Sequence, residues 1–244
     1  MNDIELARYL ADEAGKILMG LRASGHFEGK DLGRQGDEQA NAMLMRELAR
    51  LRPDDGILSE ETKDTPVRLA KSRVWIVDPL DGTREYGEGR SDWAVHVALA
   101  IDGKAAVGAV ALPGLDLVLD SGAPPAPPAP ATPLRMLVSR TRPAAEAVAV
   151  AKALGAELVP MGSAGAKAMA VVLGDADIYL HSGGQYEWDN CAPVAVAAAA
   201  GLHCSRIDGS ALLYNHEDVY LPDLLICARS LVEPVMSALA QNHA

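Results

Sequence analysis

The stretch Val74–Tyr86, VWIVDPLDGTREY, joins an apolar run directly to a cluster of acidic and turn-forming residues. Val74, Trp75, Ile76 and Val77 read as a buried strand, and the polar cluster begins where that strand is expected to end. Asp78 and Asp81 stand three residues apart, with Pro79 and Gly82 pushing the backbone out of regular structure. Two carboxylates held on one turn repel each other unless solvent, an arginine or a metal ion lies between them. An Asx-turn would account for the aspartates alone, although a Pro-Leu insert between them is an uncommon way to build one.

Outward from this stretch the chain divides into two patterns. Ala7, Leu10, Ala11, Ala14, Ile17, Leu18 and Leu21 recur at helical spacing, with Asn2 or Asp3 as cap. A second helix is expected to begin near Asp37 and to bury Ala40, Met43, Leu44, Leu48 and Leu51. GIL before Ser59 is a short strand. In WAVHVALAI, Trp93, Val95, Val97 and Leu99 share one face, and Asp102-Gly103 signals a two-residue hairpin into AAVGAVAL. This half reads as two helices beside a largely antiparallel sheet.

The segment 122–133, GAPPAPPAPATP, can form neither helix nor sheet, because its prolines lack the amide donor. A boundary is expected there, giving an α+β unit over 1–130 and an α/β unit over 131–244. Beyond it strands and helices alternate: LRMLVS, helix 143–154, AELVP, helix 164–173, ADIYL, helix 189–200, DLLICA and a last helix. Alternation of this kind predicts βαβ-type layering, so the fold class is α/β with helices on the sheet faces. No internal repeat is visible.

Composition narrows the partners. A chain of 244 residues with 49% hydrophobic content is long and apolar enough to bury a core. Its net charge of -11 argues against a nucleic-acid polymer or an anionic membrane surface, but not against a small anionic substrate. Three cysteines without a CxxC pair suit a reducing compartment and offer no thiolate metal site. MNDIELARYL lacks a signal-peptide pattern, and the run APVAVAAAAGL is about half the ~20 residues a membrane span needs. A cytoplasmic protein is expected, with room for a homodimer. The six histidines form no HxxxH or HxH pair.

Four acidic sites fall at the edges of the expected elements. Asp37 opens the second helix, Glu60-Glu61 follow one strand, Asp78 and Asp81 follow the next, and Asp189 in YEWDNCAP opens a later helix. Separately they read as helix caps and solvated turns. Together, an all-oxygen set without sulfur or histidine is what a hard cation such as Mg²⁺ prefers. Two such ions about 4 Å apart can hold the attacking and leaving oxygens of a phosphoryl transfer. Gly82 and Thr83 then gain a purpose, as backbone amides for a phosphate and a hydroxyl for a water. GSAGAK, residues 162–167, reads equally as a helix cap or as a phosphate-admitting turn.

SEE (59–61), DPLDGT (78–83) and EWD (187–189), in that order, resemble the signature of the inositol monophosphatase superfamily of Mg²⁺-dependent, lithium-sensitive phosphatases. DPLDGTRE is more similar to its CysQ-type 3′(2′),5′-bisphosphate nucleotidases than to the DGTTNF of inositol enzymes; VSRTR (138–142) and GSAGAKAMAVVLGDADIYL (162–180) point the same way. The resemblance implies a layered αβαβα sandwich of the sugar-phosphatase type with the metal site between its halves. It implies that Glu60, Asp78, the Leu80 carbonyl, Asp81 and Asp189 hold two or three Mg²⁺ ions, with Glu61 behind them. Thr83, with Asp37 or Glu60, would position and deprotonate the attacking water. Gly82, Thr83, Ser139, Arg140, Gly162, Ser163 and Lys167 would meet the nucleotide. The expected reaction is hydrolysis of the 3′-phosphate of 3′-phosphoadenosine 5′-phosphate, in sulfate assimilation. Inositol-1-phosphate or fructose-1,6-bisphosphate is the alternative substrate, and a non-catalytic nucleotide or metal sensor is the alternative of another class.

Overall fold

The computed structural model describes residues 1–242. Helix α1 (Asp3–Ser24) starts as its sequence predicts: the Asn2 side chain accepts from the Glu5 amide, and Glu5 accepts in return from the Asn2 amide. With α2 (Gly29–Leu51) it covers one face of a five-stranded sheet. That sheet runs β1 (Gly56–Ser59), β2 (Arg73–Asp81), β3 (Ala94–Ile101), β4 (Lys104–Leu112), β5 (Leu117–Asp120) in spatial order, with only the β1–β2 pair parallel. The hairpin between β3 and β4 turns on Asp102 and Gly103, both at positive φ, with Ile101 facing Lys104.

The faces separate by strand alternation. Trp75, Val77, Trp93, Val95, Val97 and Leu99 pack with α1 and α2. Val74, Ile76, Ala94, Ala98 and Ala100 point to the opposite side. There they meet α5 (Ala164–Leu173) and α6 (Glu187–Ala199), whose other flank rests on a second sheet. This sheet, in the order β7-β6-β8-β10-β9, comprises β6 (Arg135–Ser139), β7 (Glu157–Met161), β8 (Ile178–Tyr186), β9 (His203–Ser205) and β10 (Tyr220–Cys227). β6 is parallel to β7 and β8, and β10 is antiparallel to β8 and β9. Its outer face carries α4 (Ala145–Leu154) and α7 (Val232–Asn242). The result is the expected αβαβα sandwich. The proline-rich segment carries neither helix nor strand and separates the two sheets, while the core around α5 and α6 draws residues from both. Among the described residues no helix is long and apolar enough to cross a membrane.

Two local expectations are corrected. α2 begins at Gly29 rather than near Asp37, so Asp37 lies inside the helix instead of opening it. Gly29, Gly33 and Gly36 lower helix propensity and mask the start, but packing requires two of them. A Cβ on Gly33 would lie 2.6 Å from Thr83 Cγ2, and one on Gly36 would lie 2.9–3.1 Å from Leu18, Leu80 and Tyr86 side chains. Secondly, β2 does not stop at Val77 but runs on through Asp81, interrupted by an irregularity after Asp78.

Gly36→Ala is therefore expected to destabilise the fold by about 1–3 kcal/mol through overpacking. Gly20→Ala, on an exposed face of α1 with nothing within 4 Å, should stabilise it by about 0.5–1 kcal/mol. Urea unfolding of both variants checks this, and shifts of the same sign would contradict the close approach of α2 to Tyr86 and β2.

Candidate active site

The irregularity in β2 aims the acidic side chains. In the ladder Asp78 faces His96 and Asp81 faces Ala94, so three steps on β2 match two on β3. Without that extra residue, side chains three apart would point to opposite faces. With it, one carboxylate oxygen from each of Asp78, Asp81 and Asp189 falls within 4.8 Å of the others. Asp78 also accepts from the Leu80 amide at 3.0 Å, which closes the turn around buried Leu80. Asp189 lies in the third position of α6 rather than capping it, and its carboxylate accepts from the Tyr186 amide at 2.6 Å.

Asp81 is held from the other half of the chain. Ser163 Oγ donates to it at 2.5 Å, and the Ala164 and Gly165 amides donate at 3.1 and 2.7 Å. The first turn of α5 thus receives a carboxylate of β2, where GSAGAK left cap and phosphate readings equal. Ser163 caps that helix at a φ of 41°, a strained setting for a residue with a side chain. His96, fully buried on β3, places Nε2 3.2 Å from Asp81 Oδ2 and Nδ1 2.9 Å from the Trp188 carbonyl. The Trp188 carbonyl calls for N–H at Nδ1, and Nε2 faces the Asp81 carboxylate without a well-formed hydrogen bond, where a proton would complete an ion pair. Burial opposes that charge, but Asp81 outweighs it and raises the His96 pKa. Burial likewise opposes ionisation of Asp81, yet His96, Ser163 and Gly165 bring its pKa down to about 2.

The remaining acids are shifted the other way. Burial and then repulsion from Glu60 push Asp78 well above the carboxylate range. Burial, reinforced by Asp81, raises Asp189 to about 7. Asp37 reaches about 8 through burial and the charges of Glu61 and Glu60, despite a hydrogen bond with Thr83. Glu60 is exposed as a residue, but its carboxyl reaches Asp78, and loss of water there with repulsion from Glu61 raises it to about 7. Among the described residues no arginine or lysine is ion-paired with Asp78 or Asp189. Crowded oxygen donors without a counter-cation fit a hard metal ion, and the site can hold one. An arginine is not what separates the aspartates.

Thr83 opens α3 (Thr83–Gly87), and its hydroxyl donates to the Leu80 carbonyl at 3.1 Å. A cavity of about 510 Å³ extends from Asp81 and Asp189 and is lined by Gly82, Thr83, Ser139, Arg140, Gly162, Ser163 and Lys167. All the expected nucleotide contacts thus share one space. Neither cation is a free surface charge, however. Arg140 is ion-paired with Glu85 at 2.7 Å and Glu88 at 2.6 Å. Lys167 is buried, donates to the Gly162 and Ser163 carbonyls, and lies 5.3 Å from the Tyr179 ring centre. Burial lowers its pKa to about 8. Sequence reasoning passed over His96, whose role is visible only across the β2–β3 ladder, and Arg142 at the cavity rim, two residues beyond Arg140.

The pattern of the inositol monophosphatase family matches residues 3–123 and 132–243. The chain belongs to that family. It is 49% identical over 241 residues to a 3′-phosphoadenosine 5′-phosphate phosphatase of Mycobacterium tuberculosis, covering 93% of this chain and 90% of the relative. Against the 3′(2′),5′-bisphosphate nucleotidase CysQ of Escherichia coli it is 32% identical over 199 residues, 76% of this chain and 80% of the other. The solved structure of CysQ from Bacteroides thetaiotaomicron superimposes with a TM-score of 0.78 at 23% identity, covering 92% of this chain and 96% of that one, a likeness of fold.

Removing metal should expose the crowding. Asp37, Glu60 and Asp189 bind protons more tightly folded than unfolded, so their stabilisation is full at acid pH and lost as pH rises through about 7 to 8. In EDTA the thermal midpoint is expected to fall between about pH 5.5 and about pH 8.5, and excess divalent salt should cancel the fall. A flat profile in EDTA would contradict the crowding of unpaired acids.

Proposed function

We infer that this chain is a phosphatase that removes the 3′-phosphate of 3′-phosphoadenosine 5′-phosphate, giving AMP and phosphate. The observation that carries the reading is the single cavity joining a metal-binding acid cluster to a wall bearing Arg140 and Lys167. A substrate with two separated phosphates matches that arrangement, one phosphate at the cluster and the other at the cations. The relatives named for this activity support it.

Mg²⁺ is the ion we propose, in two or three positions held by Glu60, Asp78, the Leu80 carbonyl, Asp81 and Asp189. When bound it supplies charge neutralisation and Lewis acidity at the phosphoryl oxygens. The chain's own part begins with Thr83, whose hydroxyl lies between the Leu80 carbonyl and Asp37. By giving its proton to one of these acceptors, Thr83 keeps a lone pair to accept from a water and so orients it. Asp37, which shares a hydrogen bond with Thr83, or Glu60, in its ionised form, then takes the proton that the water loses.

Gly82, Ser139, Gly162 and Ser163 shape the path between the two phosphates. Arg140 spends Nε and Nη2 on Glu85 and Glu88, which leaves Nη1 for the uncleaved phosphate. Lys167, buried in the same wall, adds its positive charge towards that anion. Three free thiols, Cys191, Cys204 and Cys227, suit a reducing compartment, and we place the enzyme in the cytoplasm.

Phosphate release from the bisphosphate nucleotide, inositol-1-phosphate and fructose-1,6-bisphosphate, each with and without Mg²⁺, tests the assignment. The nucleotide should show the highest kcat/KM and strict Mg²⁺ dependence. Better turnover of the inositol ester would overturn the nucleotidase reading.

Thr83→Ala should lower kcat about a hundredfold or more, with KM little changed, because the hydroxyl acts on the attacking water. A defect confined to KM would instead make Thr83 a phosphate-binding residue.

A further inference from the structure

His96 stands where three parts of the site meet. In the ladder it faces Asp78, its Nε2 lies 3.2 Å from Asp81, and its Nδ1 holds the carbonyl of Trp188, the residue before Asp189. The first turn of α5 is cut away to admit the ring: a Cβ on Gly165 would lie 2.0 Å from Nε2. That same Gly165 donates its amide to Asp81 at 2.7 Å. Core packing alone does not explain these contacts. A leucine or phenylalanine would fill the space but remove the bond to the Trp188 carbonyl and the ring nitrogen that faces Asp81. Among the described residues Nε2 is buried without a hydrogen-bond partner, and the Asp81 carboxylate 3.2 Å away is the group it faces.

We propose that His96 is a positioning residue that fixes Asp81 and Asp189 relative to one another, and so sets the metal affinity of the site. The proposal rests on reading the acid cluster as a metal site. Facing Asp81, the ring fixes which way that carboxylate turns. Bonded to Trp188, it fixes the first turn of α6 and with it Asp189. Groups that orient a ligand from behind commonly contribute ten- to a hundredfold in metal affinity.

Two substitutions separate the contacts while keeping a polar group in the pocket. His96→Asn places a donor near the position of Nδ1, keeping the Trp188 bond, but falls short of Asp81. His96→Gln reaches towards Asp81. Mg²⁺ binding to each folded protein is measured by titration calorimetry, and thermal midpoints are recorded in EDTA. Each is expected to weaken Mg²⁺ binding about ten- to a hundredfold relative to the unsubstituted protein, His96→Asn by loosening Asp81 and His96→Gln by loosening the turn that carries Asp189, whatever their midpoints in EDTA. A purely structural role would shift the midpoints and leave the binding constants alike, and that outcome overturns the proposal. If the unsubstituted protein binds no Mg²⁺, the metal-site reading fails first and this inference falls with it. If it binds and His96→Asn binds equally well, only this inference fails.

Discussion

Everything at the site depends on one extra residue in β2. The step from Asp78 to Asp81 against His96 and Ala94 turns two side chains of opposite faces onto one side. The gain in geometry carries an electrostatic penalty, since Asp78 and Asp189 are brought together with no arginine or lysine among the described residues ion-paired to either. Their raised pKa values express burial first and then the mutual repulsion that makes the place attractive to a cation. A strand end made this uncomfortable persists only because the surrounding layers hold it, with Leu80 buried beneath it and α2 packed closely alongside.

Asp81 differs from the other acids because the fold has already neutralised it. Two amides and a hydroxyl at the start of α5, together with His96, keep it ionised at any ordinary pH. The second half of the chain therefore contributes more than Asp189. It supplies the donors that fix one carboxylate while the rest wait for an ion.

Much of this fold could be read from local signals. The Asp102-Gly103 turn and the alternation of Trp93, Val95, Val97 and Leu99 have short-range causes and appear as expected. The proline-rich segment 122–133 likewise stays outside both sheets. What was hidden has causes that are distant in sequence. The glycines of α2 look like helix breakers until Thr83 and Tyr86 are seen against them. The ordered acidic motifs disclosed the members of the cluster, but not that Asp37 would sit mid-helix or that β2 would carry its aspartates in a bulge. That Arg140 is ion-paired was hidden too, because its partners Glu85 and Glu88 are far from it in sequence. His96 gave no signal at all, being a lone histidine in an apolar strand.

The shared middle layer bears on how the chain must be made. Val74, Ile76 and Ala98 of the first sheet lie against α5 and α6, which are not adjacent in sequence to any strand they cover on that side. About 75 residues separate the end of β4 at Leu112 from the start of α6 at Glu187. At ~5–20 residues per second of synthesis, the inner face of that sheet stays uncovered for roughly 4–15 s on the ribosome. For that interval a nascent chain presents valine, isoleucine and alanine to the cell before the helices that bury them exist.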